Sequence, residues 1–196
     1  RAMFDYVLTD ADGAETVATA YVNVLSDKPT DDLFGNQWHH GAINADEVWE
    51  DYTGAGVLVG IVDNGVDYTH PDIDDNYDTS KDWDYLDGDA DPYPTYNNEG
   101  HGTALAGIVA GERNGQGIVG VAYGATVAGA RGAVGPTGAW TWSKSIAWNS
   151  SHKDFDVTNN SYSSKIYLKM NFLADSNHQQ IANGLKLGAE QGRGGL

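Results

Sequence analysis

Asp63 and His101 are the residues whose type and placing suggest chemistry first. Asp63 directly follows the apolar run Val57-Leu-Val-Gly-Ile-Val62, and His101 opens the segment Gly100-His-Gly-Thr103. A carboxylate beside an imidazole fixes the ring's tautomer and stabilises the imidazolium that forms when the ring takes a proton. Such a pair is the general-base half of a hydrolytic centre, with a nucleophile as the missing third member. Between Asp63 and Asp91 stand eleven Asp, no Glu and one basic residue, Lys81. Taken singly these are ordinary solvated loop residues. Taken together, short rigid carboxylates spaced by two along loops suit a hard cation such as calcium. Cysteine is absent, which removes a thiolate nucleophile, a disulfide framework and any Cys-based metal site.

These residues need elements to hold them. The run Val57–Val62 reads as a central parallel strand covered on both faces. The segment from His101 to Gly111 is rich in small apolar residues and suits a helix packed closely on that strand. Ala125 to Ala130 reads as the next strand, Trp140 to Trp148 as a helix and Asp156 to Tyr162 as another strand. Gln179 to Gln191 carries helical spacing through Ile181, Leu185, Leu187 and Ala189. Strands alternating with helices predict a three-layer α/β domain with a mostly parallel central sheet and right-handed crossovers. Functional groups in such sheets gather where strands end and helices begin. Both Asp63 and His101 fall there.

Residues 1–25 follow a different pattern. Phe4–Thr9 and Thr16–Val24 alternate with the period of two expected of strands, around the turn signal Asp10-Ala-Asp-Gly13. This predicts a hairpin, and because a lone hairpin is marginal in water it is expected to close a larger β-sandwich. Residues 26–32, with Pro29 and several Asp, read as a linker, and residues 33–196 as the α/β domain.

The chain has 196 residues, of which 11 are Lys or Arg and 28 Asp or Glu, a formal charge of −17. That balance argues against nucleic acid and anionic membranes as partners, since their phosphates would be repelled. No apolar stretch approaches the length of a spanning helix. No glycine-rich phosphate loop follows the first strand of the α/β part, which disfavours a nucleotide-binding domain. The first residue is not Met and the last helix runs into a Gly pair, so the chain reads as an internal piece of a longer protein.

The segment Gly60-Ile-Val-Asp-Asn-Gly-Val-Asp-Tyr-Thr-His-Pro-Asp72 resembles the catalytic-aspartate motif of the subtilisin-like serine proteases, and His101-Gly-Thr-Ala-Leu-Ala-Gly107 resembles their histidine motif. Their order along the chain is that family's order of Asp, His and then Ser. Thr30–Trp38, Gly54–Val57, Asp89–Pro92, Gly120–Tyr123 and Gln191–Gly195 are similar to segments of its kexin and furin branch. The resemblance covers about Thr30 to Leu196. Residues 1–25 resemble the last strands of cadherin-like or immunoglobulin-like repeats of large secreted bacterial proteins.

This resemblance implies a subtilisin-like fold, cut before its serine half and preceded by the hairpin remnant of a sandwich. It implies that Asp63 and His101 are catalytic, with the nucleophilic serine and the oxyanion asparagine beyond Leu196. The fragment itself is then expected to be inactive. The intact protein is expected to be a calcium-dependent serine endopeptidase acting on peptide or protein substrates, secreted or on the surface of a bacterial cell. One calcium site is implied at Asp31, Asp72 and the loop Glu112–Ile118, with Asn114 binding through its side chain and Glu112, Gln116 and Ile118 through backbone carbonyls. A second is implied at Asp84, Asp89 and Asp91, with Asp87 nearby. Substrate would lie against Asn64, the wall formed by Gly132, Ala133, Val134 and Gly135, and the wall formed by Ser161, Tyr162 and Ser163. Asn64 stands where the branch usually carries an acidic residue, and Ser163-Ser-Lys-Ile166 where it carries Gly-Pro followed by two acidic residues. These departures imply that paired basic residues are not required before the scissile bond. The alternative is a calcium-binding adhesion protein whose protease-like domain has lost activity.

Overall fold

The structure, a computed structural model, describes residues 2–22, 28–132, 155–161 and 176–191. Strands β1 (Ala2–Thr9) and β2 (Glu15–Val22) pair antiparallel as the predicted hairpin, with Phe4 opposite Ala20 and Val7 opposite Val17. The turn closes because the Asp10 carboxylate accepts the N–H groups of Asp12 and Ala14, the use for which short acidic side chains are favoured in turns. Among the described residues the two strands form a sheet of their own.

The second sheet holds the functional residues. It runs in the order β4 (Trp83–Asp84), β5 (Thr126–Arg131), β3 (Leu58–Asp63) and β6 (Val157–Asn160), and every neighbouring pair is parallel. β3 is flanked on both edges, and its last five residues are buried. This explains its uninterrupted apolar run, since neither face of the strand meets water. The predicted strand extends one residue further than the apolar pattern and ends on Asp63 itself. β4 is too short to leave a hydrophobic pattern and was not predicted. The predicted helix at Trp140–Trp148 lies outside the described residues.

Short helices α1 (Trp38–Ile43) and α2 (Ala45–Val48) precede β3, and α3 (His101–Ala110) and α4 (Ser176–Gln191) follow it. α3 buries Gly102, Ala106, Gly107 and Ala110 along one stripe. Small residues there let the helix approach the sheet closely, and the core forms where Ala106 and Ala110 meet Val59, Ile61, Val66, Ile73 and Val127. A smaller cluster packs Ala45, Trp49 and Val119 with Phe34 and Tyr123. Gln37 clamps Val119 from both sides, donating to its carbonyl and accepting its N–H, while His40 Nε2 lies 2.9 Å from the same carbonyl.

His40 is 2% exposed. Burial pushes its pKa below the ordinary histidine value; the Val119 carbonyl opposes this, neighbouring His39 adds to it and Asp46 opposes it. The unfolded chain therefore binds a proton at this position before the folded chain does. Stability is expected to fall as pH drops below the unfolded value of about 6.5. Urea midpoints measured from about pH 7.5 to 5.5 test this, and His40→Gln is expected to make the decline less steep.

Candidate active site

β3 delivers Asp63 at its carboxyl end and α3 begins on His101, so two residues far apart in sequence meet at one rim of the sheet. His101 Nδ1 lies 2.8 Å from Asp63 Oδ1 and 2.9 Å from Oδ2. An ionised carboxylate can only accept, so this geometry puts the proton on Nδ1 and leaves Nε2 free to take one. Asp63 is 3% exposed, whereas the His101 side chain is 56% exposed. The acid is thus held dry and the working edge of the imidazole faces outward.

The pair is framed by backbone contacts. Asn64 N–H donates to Asp63 Oδ1, and Asn64 Oδ1 in turn accepts the Gly102 N–H at 3.0 Å. Thr103 Oγ1 accepts the Asp67 N–H, tying the first turn of α3 to the loop after β3. Gly102 is required at this junction. A Cβ on residue 102 would collide with the Gly65 carbonyl oxygen and stand 2.9 Å from the Asp63 Cβ. Gly102→Ala is therefore expected to force α3 away from β3, lowering stability by about 1–3 kcal/mol and breaking the Asp63–His101 contact. A thermal melt together with histidine proton spectra checks both effects.

Around Asp31 and Asp72 the structure brings together most of the first expected metal set. The two carboxylates are 4% and 5% exposed. Asp31 Oδ1 accepts the N–H groups of Asn114 and Gly115, and Asp72 Oδ2 accepts that of Ile118. The remaining oxygens, Asp31 Oδ2 and Asp72 Oδ1, are buried with no hydrogen-bond partner. Burial raises the Asp72 pKa; the Ile118 N–H and then His70 oppose the rise, and Asp31 and Asp32 add to it. Gly117, at φ +57°, lies so close that a Cβ there would stand 2.6 Å from Asp72 Oδ2. Asn114 Oδ1 accepts the Gln116 N–H inside the loop, and Glu112 spends its carboxylate on the Asp75 N–H. Buried oxygens without donors are costly. Two orphaned carboxylate oxygens beside one loop fit a hard cation such as calcium as the missing partner.

The second expected set is arranged differently. Asp84 is fully buried and both oxygens are engaged, Oδ1 by the N–H groups of Leu86 and Asp87 and Oδ2 by Arg131 at 2.7 Å. Asp89 Oδ1 accepts the Asp91 N–H, and Asp91 Oδ1 accepts from Tyr68 Oη and the Tyr93 N–H. Among the described residues no group of three or more His, Cys, Asp or Glu side chains gathers as a metal site, around Asp84 or around Asp31 and Asp72, so a cation at either place would need backbone or amide oxygens to complete its shell. Arg131 supplies the positive charge at Asp84, and it also reaches Asp87 and Glu99 at 2.9 and 3.0 Å. Sequence reasoning gave Arg131 and Glu99 no role; the available signal was a lone cation closing an apolar strand opposite a strongly acidic stretch.

Of the expected substrate-facing residues, Asn64 is 7% exposed and engaged with Gly102, Gly132 is buried with its N–H on the Asp63 carbonyl, and Ser161 is exposed. Ala133, Val134, Gly135, Tyr162 and Ser163 lie outside the described residues.

A buried carboxylate beside an exposed imidazole at the rim of a parallel sheet is the arrangement that the acid–base part of an Asp–His–nucleophile hydrolase uses. The model of the subtilase family, peptidase S8, matches residues 54–193, well over half of the chain, and the chain belongs to that family. It is 40% identical over 126 residues to neuroendocrine convertase 2 of Bos taurus, covering 56% of this chain and 20% of that protein. It is 38% identical over 135 residues to furin of Bos taurus, covering 64% of this chain and 17% of that protein. The chain thus spans about a fifth of the length of these curated relatives. Among solved structures, a protease of Pseudoalteromonas arctica matches with a TM-score of 0.67 and 25% identity, over 84% of this chain and 57% of that one. The three-layer fold is thereby that of subtilisin-like proteases. Among the described residues no helix is long and apolar enough to cross a membrane.

Proposed function

We propose that this chain is the Asp–His half of a calcium-stabilised, kexin-like serine endopeptidase, exported or displayed at the cell surface. The observation that carries this reading is the 2.8 Å contact between buried Asp63 and exposed His101. In the intact protein a serine hydroxyl, contributed by chain beyond Leu196, loses its proton to His101 Nε2 and attacks a peptide carbonyl. His101 then returns that proton to the leaving amine while Asp63 holds the imidazolium. The chain as given holds the general base without that serine, so by itself it is proposed to be inactive. Calcium, when bound at Asp31, Asp72 and the 112–118 loop, neutralises two buried carboxylates and fixes the loop at the far end of α3. The same role at Asp84, Asp89 and Asp91 would require Asp84 to leave Arg131 first. Residues 1–25 are proposed to belong to an extracellular β-sandwich repeat.

Labelling of the intact protein by a fluorophosphonate probe, which reacts with an activated serine, tests the proposal. Labelling that is lost in His101→Ala supports a working enzyme. An intact protein that binds calcium yet neither reacts with the probe nor cleaves casein would favour the adhesion reading.

Specificity follows from the charge at Asn64. Its side chain is neutral and its oxygen is committed to the Gly102 N–H. A substrate arginine beside residue 64 meets a neutral amide instead of a carboxylate, so this position contributes no ion pair to it. Profiling a peptide library is expected to show no requirement for Arg or Lys before the scissile bond. A preference of more than about tenfold for paired basic residues would refute it.

A further inference from the structure

We infer that Arg131 is a positioning residue for the Asp63–His101 pair, acting through Glu99 on the turn that starts α3. This deepens the protease reading and rests on it for its kinetic arm.

The argument begins at the helix. α3 has Gly100 as its N-cap and no side chain caps it, so its first residue, His101, takes its position from what precedes and adjoins it. What precedes it is a turn closed on Glu99. One oxygen of that side chain, Oε2, accepts the N–H groups of Thr95 and Tyr96 at 2.9 and 3.1 Å, and the Glu99 N–H returns to the Tyr96 carbonyl. The same oxygen accepts from Arg131 Nη2 at 3.0 Å. Glu99 is 4% exposed and Arg131 is 1% exposed, so this is a desolvated ion pair, held in place by geometry that water cannot relax.

Arg131 also touches the other half of the pair. It is the last residue of β5 and lies in register with Asp63 on β3, and the next N–H, that of Gly132, donates to the Asp63 carbonyl. Its backbone therefore sits beside the catalytic aspartate while its side chain grips the turn leading to the histidine. Nη1 completes the arrangement by holding Asp84 and Asp87, which anchors the guanidinium against rotation. A lysine has one point charge and no fork with which to reach both Glu99 and Asp84 in fixed directions. A displacement of about 1 Å at the histidine suffices to lower turnover about 100-fold.

The test uses the intact protease with Arg131→Lys and Glu99→Gln, each measured by kcat per titrated active site, by KM, and by the low-field proton resonance of His101 Nδ1–H, assigned through its loss in Asp63→Asn. Both variants are expected to lower kcat about 10–100-fold with KM within about threefold of the parent, and to shift or broaden the resonance. The combined variant is expected to be no worse than Arg131→Lys. Where Arg131→Lys fails to fold, Glu99→Gln decides, since its amide keeps an acceptor oxygen for Thr95 and Tyr96. A melting temperature that falls while kcat per active site and the resonance stay at parental values would overturn the inference, leaving Arg131 a purely structural ion. If the intact parent shows the resonance but hydrolyses nothing, the protease reading fails separately, and the resonance in the two variants alone decides for or against Arg131.

Discussion

Asp63→Asn in the intact enzyme is expected to lower kcat about 10⁴-fold while leaving KM within a few-fold. Both carboxylate oxygens lie within 2.9 Å of His101 Nδ1. An aspartate can only accept there, which keeps the proton on Nδ1. An asparagine can turn its NH₂ toward Nδ1 and stabilise the opposite tautomer, whose Nε2 already bears a proton and cannot serve as the base. The residue is 3% exposed, so no water readily replaces the lost acceptor. The loss is expected to be greatest near neutral pH and to appear in turnover rather than substrate binding, because the imidazolium that Asp63 stabilises exists only along the reaction path. Turnover per titrated active site is the measurement. A variant retaining more than about a tenth of parental kcat would mean that His101 is oriented by something other than Asp63.

Removing calcium is expected to produce the largest change in stability. Asp31 and Asp72 each present one buried oxygen without a donor, and without a cation both charges lie in a site from which water has been excluded. A ligand at about a thousand times its dissociation constant adds about 4 kcal/mol to the folded state. A domain of this size shifts by about 2–4 °C for each kcal/mol, so a chelator is expected to lower the melting temperature by about 8–16 °C. Magnesium is not expected to restore it, because it needs a tighter octahedral shell than a loop of carbonyls provides. Asp72→Asn removes one of the two charges and is expected to abolish most of the chelator effect. A melting temperature indifferent to chelator in the parent protein would remove the calcium proposal at this site.

The two predictions draw on different kinds of information. The meeting of Asp63 and His101 was legible in the sequence because its flanks are dictated locally. A six-residue apolar run rich in Val and Ile, flanked by Gly and Asp, is too short for a buried helix and suits a strand covered on both faces. That puts the polar residue that ends it at the sheet rim. A helix whose buried stripe is Gly102, Ala106, Gly107 and Ala110 can lie close on such a sheet, with its first residue at the same rim. Gly102 shows how tight that requirement is, since no Cβ fits between α3 and the Gly65 carbonyl. The acidity of residues 63–91 was equally legible, as was the hairpin at the start.

What was not legible was the pairing of charges. By type and spacing, Asp84, Asp89 and Asp91 look like one set of cation ligands, yet Asp84 pairs in register with Arg131 on the neighbouring strand and accepts from its guanidinium. Asp31 and Asp72, which only the family resemblance and not their spacing brings together, meet at the 112–118 loop, and each keeps one buried oxygen without a donor. The order β4-β5-β3-β6 decides this, because it sets β5 between the acidic loop and the catalytic strand and so carries Arg131 to both. Periodicity and motif depend on neighbours along the chain, which sequence displays directly. The choice of which carboxylate meets which cation depends on distances across the sheet, and those exist only once the crossovers have been made.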